Sequence, residues 1–282
     1  MTVLPPDNAT PLVAVTMGDP CGVGPEIALA ALAHSEVRAA CRPVLIGDAG
    51  VLEAVSKRLN RPLPERRIDS AESAPSLPAG SAALLEIPVD GLDPDRCGLV
   101  DGACGRAAYA YVDHAIDKTL DGAFDALATG PIHKEALRAA GVSEPGHTEI
   151  LARKCGVTDF CMMMYSPRIA VSLVTIHVPV RAVPDLVTPE RIETTIRLTR
   201  DALCRVHGRE VRLAVCGLNP HAGESGLFGR TDRDIIAPVI EACRRRGYEI
   251  EGPLPGDTAF TPRALARYDG YERATALFNE QL

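Results

Sequence analysis

Short apolar runs along this chain alternate with stretches whose apolar positions recur at helical spacing. Residues 12–17, 44–46, 82–87 and 126–129 are β-rich runs that predict buried strands. Between them, a helix opens at Ile27, Leu29 and Leu32, a second covers about 51–59, and a third covers 102–120, with Ala107, Tyr111, Ala115 and Leu120 near one face. A short helix follows Lys134 and closes by Gly141, and another runs through Ile150 and Leu151. Two further runs, 160–164 and 169–176, flank Ser166-Pro167-Arg168 and predict a hairpin. Thr188-Pro189-Glu190 reads as N-cap, N1 proline and first-turn acid, with Gly208 as the stop. A strand is predicted at 211–215, and a helix that Thr231–Asp234 cap and Gly247 closes.

Strands alternating with helices predict an α/β architecture of largely parallel sheets, made mixed by the hairpin. Residues 60–80 read as a surface connection and 252–258 as a rigid Gly/Pro loop. Composition agrees. Hydrophobic residues make up 46% of the 282, but aromatics only 4%, with no Trp. The core is therefore Ala, Val, Leu and Ile, which suits helices packed on a parallel sheet.

The net charge of −7 argues against nucleic acid as a partner, where a basic footprint is expected. No apolar run reaches the length of a membrane span, and the N-terminus carries no signal-peptide pattern. Nine scattered cysteines without a C-x-x-C pair read as small hydrophobes in a reducing, cytoplasmic setting rather than as disulfides or a zinc knuckle.

Candidate chemistry gathers where apolar runs end. The strand 211–215 runs into Cys216-Gly-Leu-Asn-Pro-His221-Ala-Gly-Glu224, where Asn-Pro forces a turn and presents His221. His177 follows the run 169–176 and stands before Pro179. His133 with Lys134, His147 with Thr148, and Asp257 occupy other Gly/Pro loops. Imidazoles at separate strand ends suit a borderline divalent metal or acid–base work. Lys134 suits either a base or a phosphate contact. The loop Gly18–Glu26, between a strand and a helix, fits an anion at a helix start or a plain tight connection. Residue types alone also fit a metal-dependent hydrolase built on His177, His221 and Asp257.

Six motifs then occur together and in order: Gly18-Asp-Pro-x-Gly-x-Gly-Pro-Glu26, Thr129-Gly-Pro-Ile-His-Lys134, Gly146-His-Thr-Glu149, Thr175-Ile-His-Val-Pro179, Gly217-Leu-Asn-Pro-His-Ala-Gly-Glu224 and Gly252-Pro-Leu-Pro-x-Asp-Thr258. The set resembles the 4-hydroxythreonine-4-phosphate dehydrogenase (PdxA) family of vitamin B6 biosynthesis, from about Leu12 onward. The resemblance implies a two-domain α/β/α subunit of the isocitrate/isopropylmalate dehydrogenase-like type and a homodimer with a shared active site. It implies NAD- or NADP-dependent oxidation, with decarboxylation, of 4-phosphohydroxy-L-threonine to 3-amino-2-oxopropyl phosphate. It assigns His147 and Thr148 to substrate, Lys134 and Asp257 to catalysis, and His177 and His221 to a divalent metal (Zn, Mg, Co or Mn).

The third metal position falls on Asn279, where the family has histidine, with Glu280 beside it. An amide oxygen is a weaker ligand for a borderline metal. The family pattern also continues past Leu282, so a first sheet with an uncovered edge is expected. The expected domains are 1–130 on the cofactor side, 131–260 with the metal and substrate site and the dimer interface, and 261–282 returning to the first. Two alternatives stay open: a relative acting on 4-phosphorylated threonate or erythronate, and a shortened, non-catalytic ligand-binding descendant.

Overall fold

The computed structural model describes residues 10–94 and 97–273. The chain divides into two compact units between Val157 and Thr158.

The first unit is built on five strands: β1 (Leu12–Thr16), β2 (Arg42–Gly47), β3 (Arg66–Ile68), β4 (Ala83–Glu86) and β5 (Ala126–Thr129). They pair in the order β3-β4-β2-β1-β5, and every pairing is parallel. Parallel neighbours require crossovers, and helices supply most of them. They are α1 (Gly24–Ala33), α2 (Ser35–Ala40), α3 (Ala49–Leu59) and α4 (Gly102–Leu120). After β5 come α5 (Lys134–Ala139) and α6 (His147–Lys154). The ends follow local rules. Asp48 and Asp101 cap α3 and α4 by accepting the amides of Val51 and Ala103. Asn60 closes α3 in a left-handed conformation.

The second unit's strands are β6 (Met162–Ser166), β7 (Ile169–Leu173), β8 (Leu213–Cys216), β9 (Ile250–Leu254) and β10 (Gly270–Arg273). They pair in the order β6-β7-β10-β8-β9; β6–β7 is the antiparallel hairpin and the other pairings are parallel. The helices are α7 (Val183–Leu186), α8 (Pro189–His207), α9 (Ala237–Arg245) and α10 (Pro262–Leu265). Val215, Ile192, Ile196, Leu203, Ile240 and Ile250 form much of the core on one face of this sheet. Val171, Leu173, Ala214 and Tyr271 form the core on the other.

Mostly parallel mixed sheets are as expected from the pattern, and 102–120 and 126–129 match their predicted bounds. Four segments differ. The segment 131–157 belongs to the first unit, not to a second domain starting at 131, because α5 and α6 pack on α4. Residues 270–273 do not return to the first domain; they form a strand inserted between β7 and β8. The stretch 60–80 contains β3, and 252–254 complete β9 rather than a loop. β3 and β5 are the edge strands of the first unit's sheet, each with one partner among the described residues, and β5 exposes Ala126, Ala128 and Thr129. No helix among the described residues is long and apolar enough to cross a membrane.

Cysteine use also differs. Cys21 and Cys104 form a disulfide, while Cys41, Cys97, Cys155, Cys161, Cys204, Cys216 and Cys243 are not disulfide-bonded.

Candidate active-site loops

In the first unit, the loops after β1 and β5 leave adjacent parallel strands on the carboxyl edge of the sheet, where open α/β sheets place their ligands. The loops are pressed together. The Gly130 amide donates to the Thr16 carbonyl and the Asp19 amide to the Pro131 carbonyl, both at 2.9 Å. A Cβ on Gly130 would lie 2.6 Å from the Thr16 and Met17 carbonyl oxygens, so only glycine fits.

His147 opens α6 beside this junction. One ring nitrogen bonds the Gly130 backbone, and burial holds the ring's pKa below the usual histidine value. Its Nε2 is buried without a hydrogen-bond partner among the described residues. A buried polar atom left without a partner costs about 1–3 kcal/mol, and a ligand atom there would remove that cost. Thr148 is half-buried next to it. Lys134 is exposed at the start of α5. Its Cε lies 4.0 Å from where a Gly146 Cβ would stand, so Lys134 and His147 border one place. His133 caps α5 through Nδ1, which accepts the Ala136 amide at 3.4 Å. Asp19, buried, is near enough to His133 to sense its charge, and burial raises its carboxyl pKa.

In the second unit, His177, His221 and Asp257 follow the carboxyl ends of β7, β8 and β9. Those strands are mutually parallel through β10, so the three residues share one edge of the sheet. All three are exposed. His177 has a positive φ of 55°. His221 opens a left-handed turn, with φ between 40° and 78° from His221 to Ser225. Such a run is costly for non-glycine residues and persists only where surroundings fix it.

Asp232 supplies the fixing. Its buried carboxylate accepts the Leu218 amide at 2.6 Å, the Asn219 amide at 3.2 Å and Asn219 Nδ2 at 2.7 Å. The local pattern at Thr231–Asp234 predicts helix capping. The side chain instead turns back to the 217–219 loop, and a π turn over Asp232–Ile236 leads into α9. The third expected metal position, Asn279, and Glu280 lie outside the described residues. They follow β10, which runs between the strands that carry His177 and His221.

Comparison with known proteins identifies the family. A family model described as pyridoxal phosphate biosynthetic protein PdxA matches residues 39–272. The chain is 39% identical over 272 residues to a 4-hydroxythreonine-4-phosphate dehydrogenase of Trichlorobacter lovleyi, covering 96% of this chain and 81% of that protein. It is 38% identical to a D-threonate 4-phosphate dehydrogenase of Cupriavidus necator, covering 96% and 80%. A crystal structure of 4-hydroxythreonine-4-phosphate dehydrogenase from Klebsiella pneumoniae superposes with a TM-score of 0.85 at 36% identity, covering 94% of this chain and 80% of that one.

Proposed function

The chain belongs to the PdxA family and is an oxidoreductase of the 4-hydroxythreonine-4-phosphate dehydrogenase type; within it, we propose that the chain oxidises 4-phosphohydroxy-L-threonine at its C3 hydroxyl, with NAD or NADP as acceptor and a divalent metal. The 2-amino-3-oxo acid formed would lose CO2 to give 3-amino-2-oxopropyl phosphate in pyridoxal phosphate biosynthesis.

The observation that carries this reading is His147. Its ring is held neutral and bonded to Gly130, and its Nε2 is buried without a partner among the described residues. With one nitrogen donating to the Gly130 carbonyl, Nε2 of the neutral ring is an acceptor. It suits a hydroxyl or ammonium donor of the substrate, with Thr148 as a second contact. Lys134, exposed beside Gly146, suits the phosphate as a cation or serves as the proton carrier. Asp257 is the second proposed catalytic group.

The donor set also fits a borderline divalent ion. Two imidazoles, His177 and His221, stand exposed on one sheet edge, with Asn279 following the strand between theirs. Such an ion would supply Lewis-acid polarisation of the substrate hydroxyl and of the ketone derived from it. The nicotinamide would supply the hydride acceptor. The residues' own contributions are orientation at His147 and Thr148, charge at Lys134, and proton transfer at Lys134 or Asp257. We further propose that the enzyme works in the cytoplasm as a homodimer.

The Cupriavidus relative supports a second substrate. Its 38% identity is nearly that of the Trichlorobacter enzyme, so D-threonate 4-phosphate is as well supported on similarity. The two compounds differ at C2, an ammonium against a hydroxyl, and both are donors to Nε2 of His147. NAD(P)H formation with each, with and without added Zn2+, Mg2+, Co2+ or Mn2+, decides between them. Metal-dependent turnover of either supports the dehydrogenase reading and names the substrate. No turnover of either by a folded, metal-loaded chain refutes it.

A further inference from the structure

Three cysteines border the loop after β1. Cys21 lies in that loop and Cys104 in the first turn of α4, with Cα atoms 6.1 Å apart, inside the range a disulfide spans. Both are buried, and the structure joins them. The third is Cys97. Its neighbour Gly98 donates its amide to the Cys21 carbonyl at 2.7 Å. Unlike the other two, Cys97 is exposed. Arg58 Nη1 stands 2.9 Å from its sulfur, and Nη2 of the same guanidinium reaches Glu26 at 3.0 Å.

The division of labour follows from access. A buried pair closes readily once its sulfurs are in place, but no bulky reagent reaches it directly. The exposed Cys97 sulfur, by contrast, is open to a disulfide in solution. Asp19 completes the cluster. One carboxylate oxygen lies within 4.8 Å of both buried sulfurs, Oδ1 accepts the Cys21 amide at 2.8 Å, and the Asp19 amide holds the Pro131 carbonyl. The bonding state of the pair is thus linked to the loop that leads to Lys134.

We propose that Cys97, Cys21 and Cys104 form a thiol–disulfide relay, in which Cys97 is the entry thiol and Cys21–Cys104 the stored disulfide. The oxidant class is a low-molecular-weight disulfide. The Cys97 thiolate attacks it, forming a mixed disulfide and releasing one thiolate. The Cys21 thiolate then attacks Cys97 Sγ, forming Cys21–Cys97 and releasing the second. The Cys104 thiolate attacks Cys21 Sγ, forming Cys21–Cys104 and returning the Cys97 thiolate. In sum, the protein dithiol loses two electrons and two protons, and the small disulfide becomes two thiols.

The test uses the full chain, reduced, desalted, exposed to oxidised glutathione, quenched with iodoacetamide and mapped by peptide mass spectrometry. The wild type should accumulate the Cys21–Cys104 link. Cys97→Ser should reach the same link at least about tenfold more slowly, since direct attack on the buried pair is hindered. Cys104→Ser should trap Cys21–Cys97. Wild-type kinetics in Cys97→Ser overturn the relay, as does a Cys104→Ser chain that folds without forming the trapped link. A Cys104→Ser chain that fails to fold leaves the Cys97→Ser rate to decide. One equivalent of zinc retained by the reduced chain, with Cys21 and Cys104 shielded from alkylation until chelator is added, also overturns it, because Asp19, Cys21 and Cys104 then serve as metal ligands.

Discussion

The carboxylate of Asp232 grips Asn219 twice, through the backbone amide at 3.2 Å and the side-chain Nδ2 at 2.7 Å. Asn219 lies two residues before His221, which opens the left-handed turn. Asp232→Ala would strand the amides of Leu218 and Asn219 and remove the anchor. Loss of a buried, multiply bonded carboxylate costs on the order of 2–4 kcal/mol. The turn's strain would then relax, and His221 would move. We expect a lower Tm and a weakened divalent-metal affinity, measured by titration calorimetry. Unchanged metal affinity in a folded Asp232→Ala chain would show that the turn holds itself.

Gly105 sets the distance between α4 and α5. A Cβ there would lie 2.0 Å from the Ala136 carbonyl oxygen, a backbone atom that cannot swing away. Gly105→Ala must therefore push apart the helix carrying Cys104 and the helix that starts at Lys134. Overpacking of this kind costs about 1–3 kcal/mol. The same substitution at Gly141, whose φ is 78° but whose Cβ would meet nothing within 4 Å, tests backbone strain alone. Gly105→Ala should impair turnover more than Gly141→Ala at matched stability. Equal turnover would mean that the α4–α5 spacing does not position Lys134.

Much of this was legible in the chain because the signals were local. The strand–turn junctions at Gly130 and Asn219-Pro220, and the helix start at Gly146, announce themselves by Gly and Pro; His133 and His221 follow strands, while His147 opens α6. The order of strands within each sheet is a long-range property. β10 is only Gly270–Arg273, too short to show alternation, yet it separates β7 from β8. Asp232 was hidden for a related reason. Its partners lie 13 and 14 residues earlier, and the local pattern around it reads equally well as a helix start. The unit boundary failed because α5 and α6 are amphipathic in any setting, and only contact with α4 assigns them to the first unit. The cysteine pair is 83 residues apart in sequence, so spacing carried no sign of it.

Glu272 is an acid where the fold provides no neutralising partner among the described residues. It is 3% exposed, stands opposite Ser172 across β10–β7, and its Oε2 has no hydrogen bond. Burial pushes its pKa to about 8. The native state therefore keeps a proton that the unfolded chain releases near the ordinary glutamate value. Unfolding releases that proton between about pH 4.5 and 8, so this group's contribution falls as pH rises, by at most about 1.4 kcal/mol per unit. Denaturant melts across that window should show the loss. Glu272→Gln, which cannot ionise, should remove it and raise stability at pH 8. A slope unaltered in Glu272→Gln would place the titration elsewhere.

His147 gives a pH signature in catalysis itself. Its pKa is lowered by burial, so around pH 7 the ring is neutral and Nε2 is an acceptor. If Nε2 takes a hydroxyl or ammonium donor from the substrate, protonating the ring replaces a hydrogen bond by a donor–donor clash. KM should then stay flat through neutrality and rise only below the ordinary histidine range, where the lowered pKa is crossed. A phosphate contact predicts the reverse, because binding would draw a proton onto the ring and tighten as pH falls. The substrate phosphate titrates nearby, so the wild-type profile is compared with His147→Gln, which has no such ionisation. A rise in KM at acid pH present in wild type and absent in His147→Gln supports the donor contact. A fall in the wild type that His147→Gln abolishes moves the phosphate to His147 and leaves Lys134 to proton transfer.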